Sequence, residues 1–489
     1  MEEIVEVLWL GLLLFCLWFC GAVFEEYGNC PALIAEIVVG CVLGPEVFDV
    51  VPEVEGIKLV GLLGLLLIVL EGGLHIELVT MQSIGRKAGF IAVSGTTLPV
   101  LLSLSVLPRF HGFTNLEGLI AGVSLSSTAI GMAAKLMQSL GLLTTHIGKL
   151  ITCAAMIDDV ASLVLLAVIS NTVSGGGDTA DIAWAFALPI ISSGVFIAIS
   201  TYISFHMTGY IEKLRLCLHP IQEINEEICP VSMSDGQNDS PTDELSATAQ
   251  PTSANNNIVM SSDKSELEPE PEPPQDPAAT SWDITLIRLL LLVAIIFTGI
   301  AHYVRTTFLL GAFMAGVAFS SVPGMHDSWS NHMPTVATWT ARLFFASIGF
   351  TIPVRELFSI EALYFGLLLT FIAIASKVAT GVFEWDDKWA IGWAMVGRGE
   401  LGFVMAEEAY RNDLTSKLTY SVTVWALLLA TLLSPIAFRR ALSSHHHSPP
   451  ASTSKSVTAD GTGVDVIKSE VTEVELKVVT VGEGDESSL

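Results

Sequence analysis

Residues 151–170 read ITCAAMIDDVASLVLLAVIS, an apolar run broken at its centre by Asp158 and Asp159. A helix needs about 20 mainly apolar residues to cross the roughly 30 Å hydrocarbon core of a bilayer, at about 1.5 Å per residue. The apolar stretch 146–171 is long enough, and its midpoint falls between the two aspartates. A charged carboxylate at the bilayer midplane costs about 2.5–3.5 kcal/mol even on lenient insertion scales. Two such groups side by side point to a water-filled cavity, an ion or a cationic partner.

Working outward gives thirteen candidate spans: about 4–24, 31–48, 57–75, 87–108, 115–138, 146–171, 183–210, 284–304, 306–322, 335–353, 360–382, 389–409 and 417–438. None shows the strict alternation of a membrane β-barrel strand. The fold class expected is an all-α polytopic membrane bundle. Its composition agrees: 51 % of the 489 residues are apolar, 15 % are charged, and the mean hydropathy is +0.60. The net charge of −27, from 23 Lys+Arg against 50 Asp+Glu, excludes nucleic-acid binding by a basic surface.

That acidity is unevenly placed. Residues 221–283 carry 14 acidic and one basic side chain, and residues 439–489 carry 8 acidic and 5 basic. Low hydrophobicity, charge, Pro and Ser mark 213–281 as a disordered insertion and 439–489 as a disordered tail. The membrane chain then divides into a first repeat with a linking helix (1–212) and a second repeat (282–438). Glu2, Glu3 and Glu6 stand where a signal peptide would be basic, which argues against a cleaved leader.

Basic residues in short loops give the orientation. With the N-terminus outside, Arg86, Lys87, Lys149, Lys213, Arg215, Lys388, Arg439 and Arg440 lie inside. Arg109, Arg305, Arg355, Arg411 and Lys417 lie outside. The insertion and tail are then cytoplasmic, and the sequon at Asn238 would not meet the glycosylation machinery. The seven Cys show neither metal spacing nor a paired framework. No cofactor is expected.

Two further clusters accompany the aspartates. Lys377, in LLLTFIAIASKVATGVFEW (367–385), is a second intramembrane charge whose stem can carry its ammonium back toward the midplane. Paired with an aspartate it stays charged; without one it becomes a candidate proton carrier. Gly397-Arg-Gly-Glu-Leu-Gly402 formally matches a dinucleotide-binding loop, but no strand precedes it and the stretch is a hydrophobic span. Gly397, Gly399, Arg398 and Glu400 at mid-span instead suggest a helix broken at membrane depth.

Its counterpart is 118–141, GLIAGVSLSSTAIGMAAKLMQSLG, where Ser124, Ser126, Ser127 and Thr128 interrupt an apolar span. The two interrupted spans are seven apart, an odd offset that reverses orientation. Six spans, a linking span and six more would form an inverted repeat, with a binding site at the midplane where two broken helices cross.

These residues resemble the monovalent cation:proton antiporter superfamily, and most closely its bacterial-type sodium/proton antiporters with a paired aspartate. The likeness rests on PALIAEIVVGCVLGP (31–45), LSSTAIGMAAKLMQSLGLL (125–143), MIDDVASLVLLAV (156–168), LLGAFMAGVAFSS (309–321), RLFFASIGFTI (342–352), IASKVATG (374–381) and VGRGELGFVMAEEA (396–409). It implies thirteen helices, a homodimer and elevator-like alternating access in a plasma or organelle membrane, with a part in pH homeostasis. Spans one to three and eight to ten would form the dimer scaffold, and four to six and eleven to thirteen the moving core.

By the same resemblance Asp159 is the main ion-binding carboxylate, and Asp158 pairs with Lys377. Ser126, Ser127 and Thr128 match the crossing of the broken helices with Gly397 and Gly399. Arg398 and Glu400 match a charged pair of partly structural role, although two residues apart they need not face each other. Either Na⁺ (or Li⁺), held by Asp159 and Asp158, or protons would occupy the site, and the Asp–Asp–Lys set implies electrogenic exchange. A potassium/proton antiporter on the same fold is the alternative. A glutathione-gated efflux relative is disfavoured by the Asp-Asp pair and by only about fifty polar residues after Arg440. A non-transporting sensor would not need these midplane charges, and no nucleophile–base pairing or phosphate loop supports an enzyme.

Overall fold

The computed structural model describes residues 2–26, 31–76, 78–129, 133–134, 137–138, 141–172, 179–228 and 277–445. In chain order its helices are α1 (Glu2–Glu26), α2 (Ala32–Leu43), α3 (Val54–Leu74), α4 (Leu78–Val106), α5 (Asn115–Ser124), α6 (His146–Thr172), α7 (Thr179–Ile228) and α8 (Pro277–Tyr303). There follow α9 (Phe308–Phe319), α10 (Met325–His332), α11 (Pro334–Thr351), α12 (Val354–Leu357), α13 (Ile360–Ala379), α14 (Lys388–Ala394), α15 (Glu400–Arg411) and α16 (Lys417–His445). Among the described residues, eight helices are long and apolar enough to cross a membrane, and α2 and α9 are shorter apolar helices. Large apolar side chains such as Ile4, Trp18, Leu292, Ile295, Leu367 and Phe371 face outward, as lipid-facing surface requires.

Lipid offers no hydrophobic drive between helices, so close backbone approach and van der Waals packing hold them together. Glycines supply the approach. A Cβ on Gly40 would lie 2.2 Å from the Ala346 carbonyl oxygen, and one on Gly64 2.2 Å from that of Thr340. These contacts seat α11 against α2 and α3, while α9 packs on α3 and α8, and α1 on α2. Glu36 of α2 and Arg342 of α11 form a buried ion pair at 3.4 Å inside this set.

The second set contains α4, α5, α6 and α13–α16. Here α4 packs on α5, α6 and α13, while α16 packs on α13, α14 and α15. Glu117 organises one end of it. Its Oε2 accepts from the Thr114 backbone amide at 2.8 Å, closing a capping box at the start of α5. Its Oε1 accepts from the Ser416 amide and the Thr419 hydroxyl, both at 2.9 Å, at the start of α16. One carboxylate therefore caps two helices. Between the sets, α7 packs on α6 and α9 and is fastened to α9 by Ser200, whose hydroxyl donates to Met314 O at 2.8 Å, and to the turn after α9 by Thr208, which donates to Ser321 O at 3.1 Å.

Two of the thirteen expected spans are not continuous helices. α5 stops at Ser124 and residues 125–129 are non-helical; α14 stops at Ala394 and 395–399 are non-helical before α15 begins. The boundary expected at residue 213 is also displaced. α7 continues to Ile228 and α8 begins at Pro277, because the Glu, Lys, Leu and Arg residues after the apolar run are good helix formers. Likewise α16 runs on to His445. The remainder of the expected insertion, 229–276, and of the tail, 446–489, lies outside the described residues.

Candidate ion-binding site

Asp158 and Asp159 sit midway along α6, and Lys377 lies in the last turn of α13. The Lys377 Nζ is 2.8 Å from Asp158 Oδ2, and both side chains are wholly excluded from solvent. Removing two charges from water is costly unless the remaining donors and acceptors are satisfied, and here hydroxyl groups supply further partners. Oδ2 of Asp158 also accepts from the Thr128 hydroxyl at 2.6 Å, and Oδ1 from the Thr96 hydroxyl at 2.8 Å. The ammonium additionally donates to Thr128 Oγ1 at 2.8 Å. Gly95 makes room for it, since a Cβ there would stand 3.2 Å from Nζ.

Asp159 is one residue further on, about 100° round the helix, and its surroundings differ. It is partly accessible, and among the described residues neither a hydrogen bond nor an ion pair engages its carboxylate. Its electrostatic neighbours are Glu400, Asp158 and Lys377. Adjacent aspartates thus have different tasks available: one is saturated, and the other is open.

The non-helical stretches meet beside this pair. The Ala129 amide donates to Gly397 O at 2.8 Å, and Gly399 lies against Ala129. Breaking a helix frees backbone carbonyls at membrane depth, which must find donors. Arg398 supplies one: its guanidinium donates to Ser127 O in the break at 3.2 Å, and also to Ala373 O within α13 at 2.8 Å. Its amide donates to Thr431 Oγ1 at 3.2 Å. The cationic Lys377 and Arg398 thus lie near the C-terminal ends of α5 and α14, while Glu400 opens α15, as the helix dipoles favour.

The structure brings Asp158, Lys377 and Thr128 together, and places Thr128, Gly397 and Gly399 at one crossing. The other named residues are placed differently. Among the described residues Arg398 and Glu400 form no ion pair: Arg398 belongs to the non-helical stretch and Glu400 to the helix that follows. Ser126 does not face the carboxylates; its hydroxyl donates to Val123 O at 2.7 Å. The Ser127 hydroxyl, among the described residues, has no partner and lies beside Gly402, where a Cβ would approach it to 2.8 Å.

Thr96 and Ala373 were not singled out in the sequence. The hydroxyl pair Thr96–Thr97 within an apolar span was a usable signal for the first. A backbone carbonyl such as that of Ala373 leaves none. Among the described residues no three His, Cys, Asp or Glu side chains are grouped to hold a resident metal.

The family described as "Sodium/hydrogen exchanger, transmembrane" matches residues 11–222 and 280–443. The chain is 24 % identical over 426 residues to the high-affinity Na⁺/H⁺ antiporter NhaS3 of Synechocystis sp., covering 84 % of this chain and 78 % of that one. It is 22 % identical over 416 residues to a Na⁺/H⁺ antiporter of Enterococcus hirae, covering 84 % and 91 %. Its fold is shared with the sodium proton antiporter MjNhaP1 of Methanocaldococcus jannaschii, with a TM-score of 0.56, 12 % identity, and 91 % and 98 % of the two chains covered. The chain is an integral, multi-pass membrane protein that belongs to the sodium/hydrogen exchanger family.

Proposed function

We propose that the protein is a secondary active transporter exchanging a monovalent cation, Na⁺ or Li⁺, for protons at Asp159. The observation that carries this reading is the contrast within the aspartate pair. Asp158 is held by Lys377, Thr96 and Thr128, while Asp159 is partly accessible without a hydrogen-bond or ion-pair partner among the described residues. A hard monovalent cation needs oxygen ligands and dehydrates only where they are offered. A carboxylate open to one cation or one proton makes the two compete, which is the coupling an antiporter needs.

Asp158 and Lys377 form the second part of the coupling. Cation arrival at Asp159 adds positive charge beside the ammonium and favours loss of a proton from the Asp158–Lys377 pair. An exchange moving more than one proton per cation is electrogenic. Transport then proceeds as an elevator: α4–α6 and α13–α16 carry the site past α1–α3, α8, α9 and α11, with α7 linking the sets. Thirteen spans result when the broken α5 span and the α14–α15 pair each count as one and the short α10 and α12 are left out. Corresponding breaks in the two halves support an inverted repeat. A homodimer built on the stationary set completes the assembly.

The test is dissipation of a pH gradient in vesicles on addition of Na⁺, Li⁺ or K⁺. Na⁺ or Li⁺ should dissipate it in the unaltered protein and fail to do so with Asp159→Asn. Flux retained in that variant rejects the assignment. A response to K⁺ alone selects the potassium/proton exchanger. Insensitivity of the exchange to an imposed membrane potential rejects the electrogenic version.

A further inference from the structure

Glu407 takes no part in the site above, yet it is placed to serve it. It follows Glu400 by seven residues on α15, so the two carboxylates share a helix face and are about 10 Å apart along the axis. Glu407 is partly buried, and among the described residues no hydrogen bond or ion pair engages its carboxylate. Its electrostatic neighbours come from three helices: Lys58 of α3, Arg411 and Glu408 of α15, and Tyr420 of α16.

Beside it stands a tie between the two helix sets. Tyr420 is only 1 % exposed and stacks on Tyr410, with ring centroids 4.7 Å apart and planes 1° apart. Its hydroxyl lies 3.1 Å from Thr351 Oγ1 at the end of α11. Thus α16, which belongs with the site, is joined to α11, which belongs with the other set. The tie is at the end of the bundle where α3 and α16 begin, the outer end by the distribution of basic residues.

An ionised carboxylate with no donor is expensive to hold inside a membrane protein. A packing role would be served as well by Gln or Leu, without that cost. A group that receives a cation in passing has to be left unpaired, and it has to lie between bulk water and the terminal site. Glu407 meets both conditions: two helical turns separate it from Glu400, an electrostatic neighbour of Asp159.

We propose that Glu407 is a relay site that receives a monovalent cation between the outer aqueous face and Asp159, and that separation of Tyr420 from Thr351 opens the way to it. This rests on the reading of Asp159 as the ion site. The relay exchanges water ligands for a carboxylate before the cation reaches the midplane. It governs access from one face only.

Sidedness is therefore the readout. Right-side-out and inside-out vesicles from expressing cells are supplied with Na⁺ on the exposed face, and the half-maximal Na⁺ concentration for exchange is measured. Glu407→Gln should raise the outer value about three- to five-fold, the scale of a partly exposed charge interaction, and leave the inner value unchanged. Glu407→Asp should restore most of it, and Glu407→Ala carries the same comparison if the Gln variant does not reach the membrane. An outer value that does not change, or equal rises at both faces, overturns the relay. Asp159→Asn in the same vesicles separates the two ideas. Continued exchange there rejects the ion site itself, whereas silence there with a symmetric or absent Glu407 effect rejects the relay alone.

Discussion

The Nζ of Lys377 lies 2.8 Å from the Oδ2 of Asp158, across 219 residues of sequence, with no solvent reaching either group. Thr128 bonds to both, so a residue from the broken α5 span, one from α6 and one from α13 meet at a single point. The contact joins the two halves of the chain at the site.

Removing one member of this pair should be costly. Lys377→Met leaves a buried carboxylate with only two hydroxyl donors, and loss of one partner of a buried pair costs about 3–5 kcal/mol. The expected result is a clear fall in Tm in detergent. Asp158→Asn combined with Lys377→Met should recover part of it, because no unpaired charge remains. Additive losses in the double variant would contradict the coupling.

Asp159→Asn should behave in the opposite way. Among the described residues no bond depends on that carboxylate, so Tm should hold or rise while cation-driven proton movement disappears. Thermal unfolding and vesicle flux measured on one preparation check both halves. A large loss of stability would show that Asp159 is structural.

Competition between proton and cation at one carboxylate fixes the sign of the pH dependence. As pH falls the proton occupies Asp159 more often, so the half-maximal Na⁺ concentration should rise, approaching about ten-fold per pH unit for one competing proton. The maximal rate at saturating Na⁺ should change less. A half-maximal concentration that stays constant between acid and alkaline pH would contradict a shared site.

Glycine substitutions should separate crossing from surface. A Cβ on Gly402 would lie 2.7 Å from Ser124 O and 2.8 Å from the Ser127 hydroxyl, so Gly402→Ala should push α15 from α5 and depress exchange. Gly89, on α4, has nothing within 4 Å of such an atom, and Gly89→Ala should gain about 0.5–1 kcal/mol from helix propensity. Equal effects of the two changes on flux would refute the close crossing.

Glu117→Ala removes the acceptor for both helix starts. With a lost cap costing about 0.5–2 kcal/mol each, the total should be about 1–4 kcal/mol, read as a fall in Tm. Glu117→Gln keeps an acceptor oxygen for one helix and should lose less.

Much of the site is legible in sequence because charge in an apolar span is conspicuous. Asp158, Asp159 and Lys377 each stand out against about twenty apolar neighbours, and hydroxyls or glycines at mid-span disclose the breaks. Thr96 is less visible, since a threonine in a membrane helix commonly satisfies its own backbone, as Thr96 also does through Ala92 O. Arg398 and Glu400 match a charged pair by resemblance only, since two residues apart they need not face each other. They separate in the structure because the helix starts between them.

Sequence alone determined that the chain is a helical membrane protein with five ionisable groups and two interruptions within its spans. The physical reason is that span length, hydropathy and the cost of a buried charge are local properties. Only the tertiary structure decided which aspartate is closed and which is open. Neighbours on a helix point about 100° apart, and what each one meets depends on packing. Asp158 meets Lys377, Thr96 and Thr128 from three other segments of the chain, and among the described residues Asp159 meets no such partner.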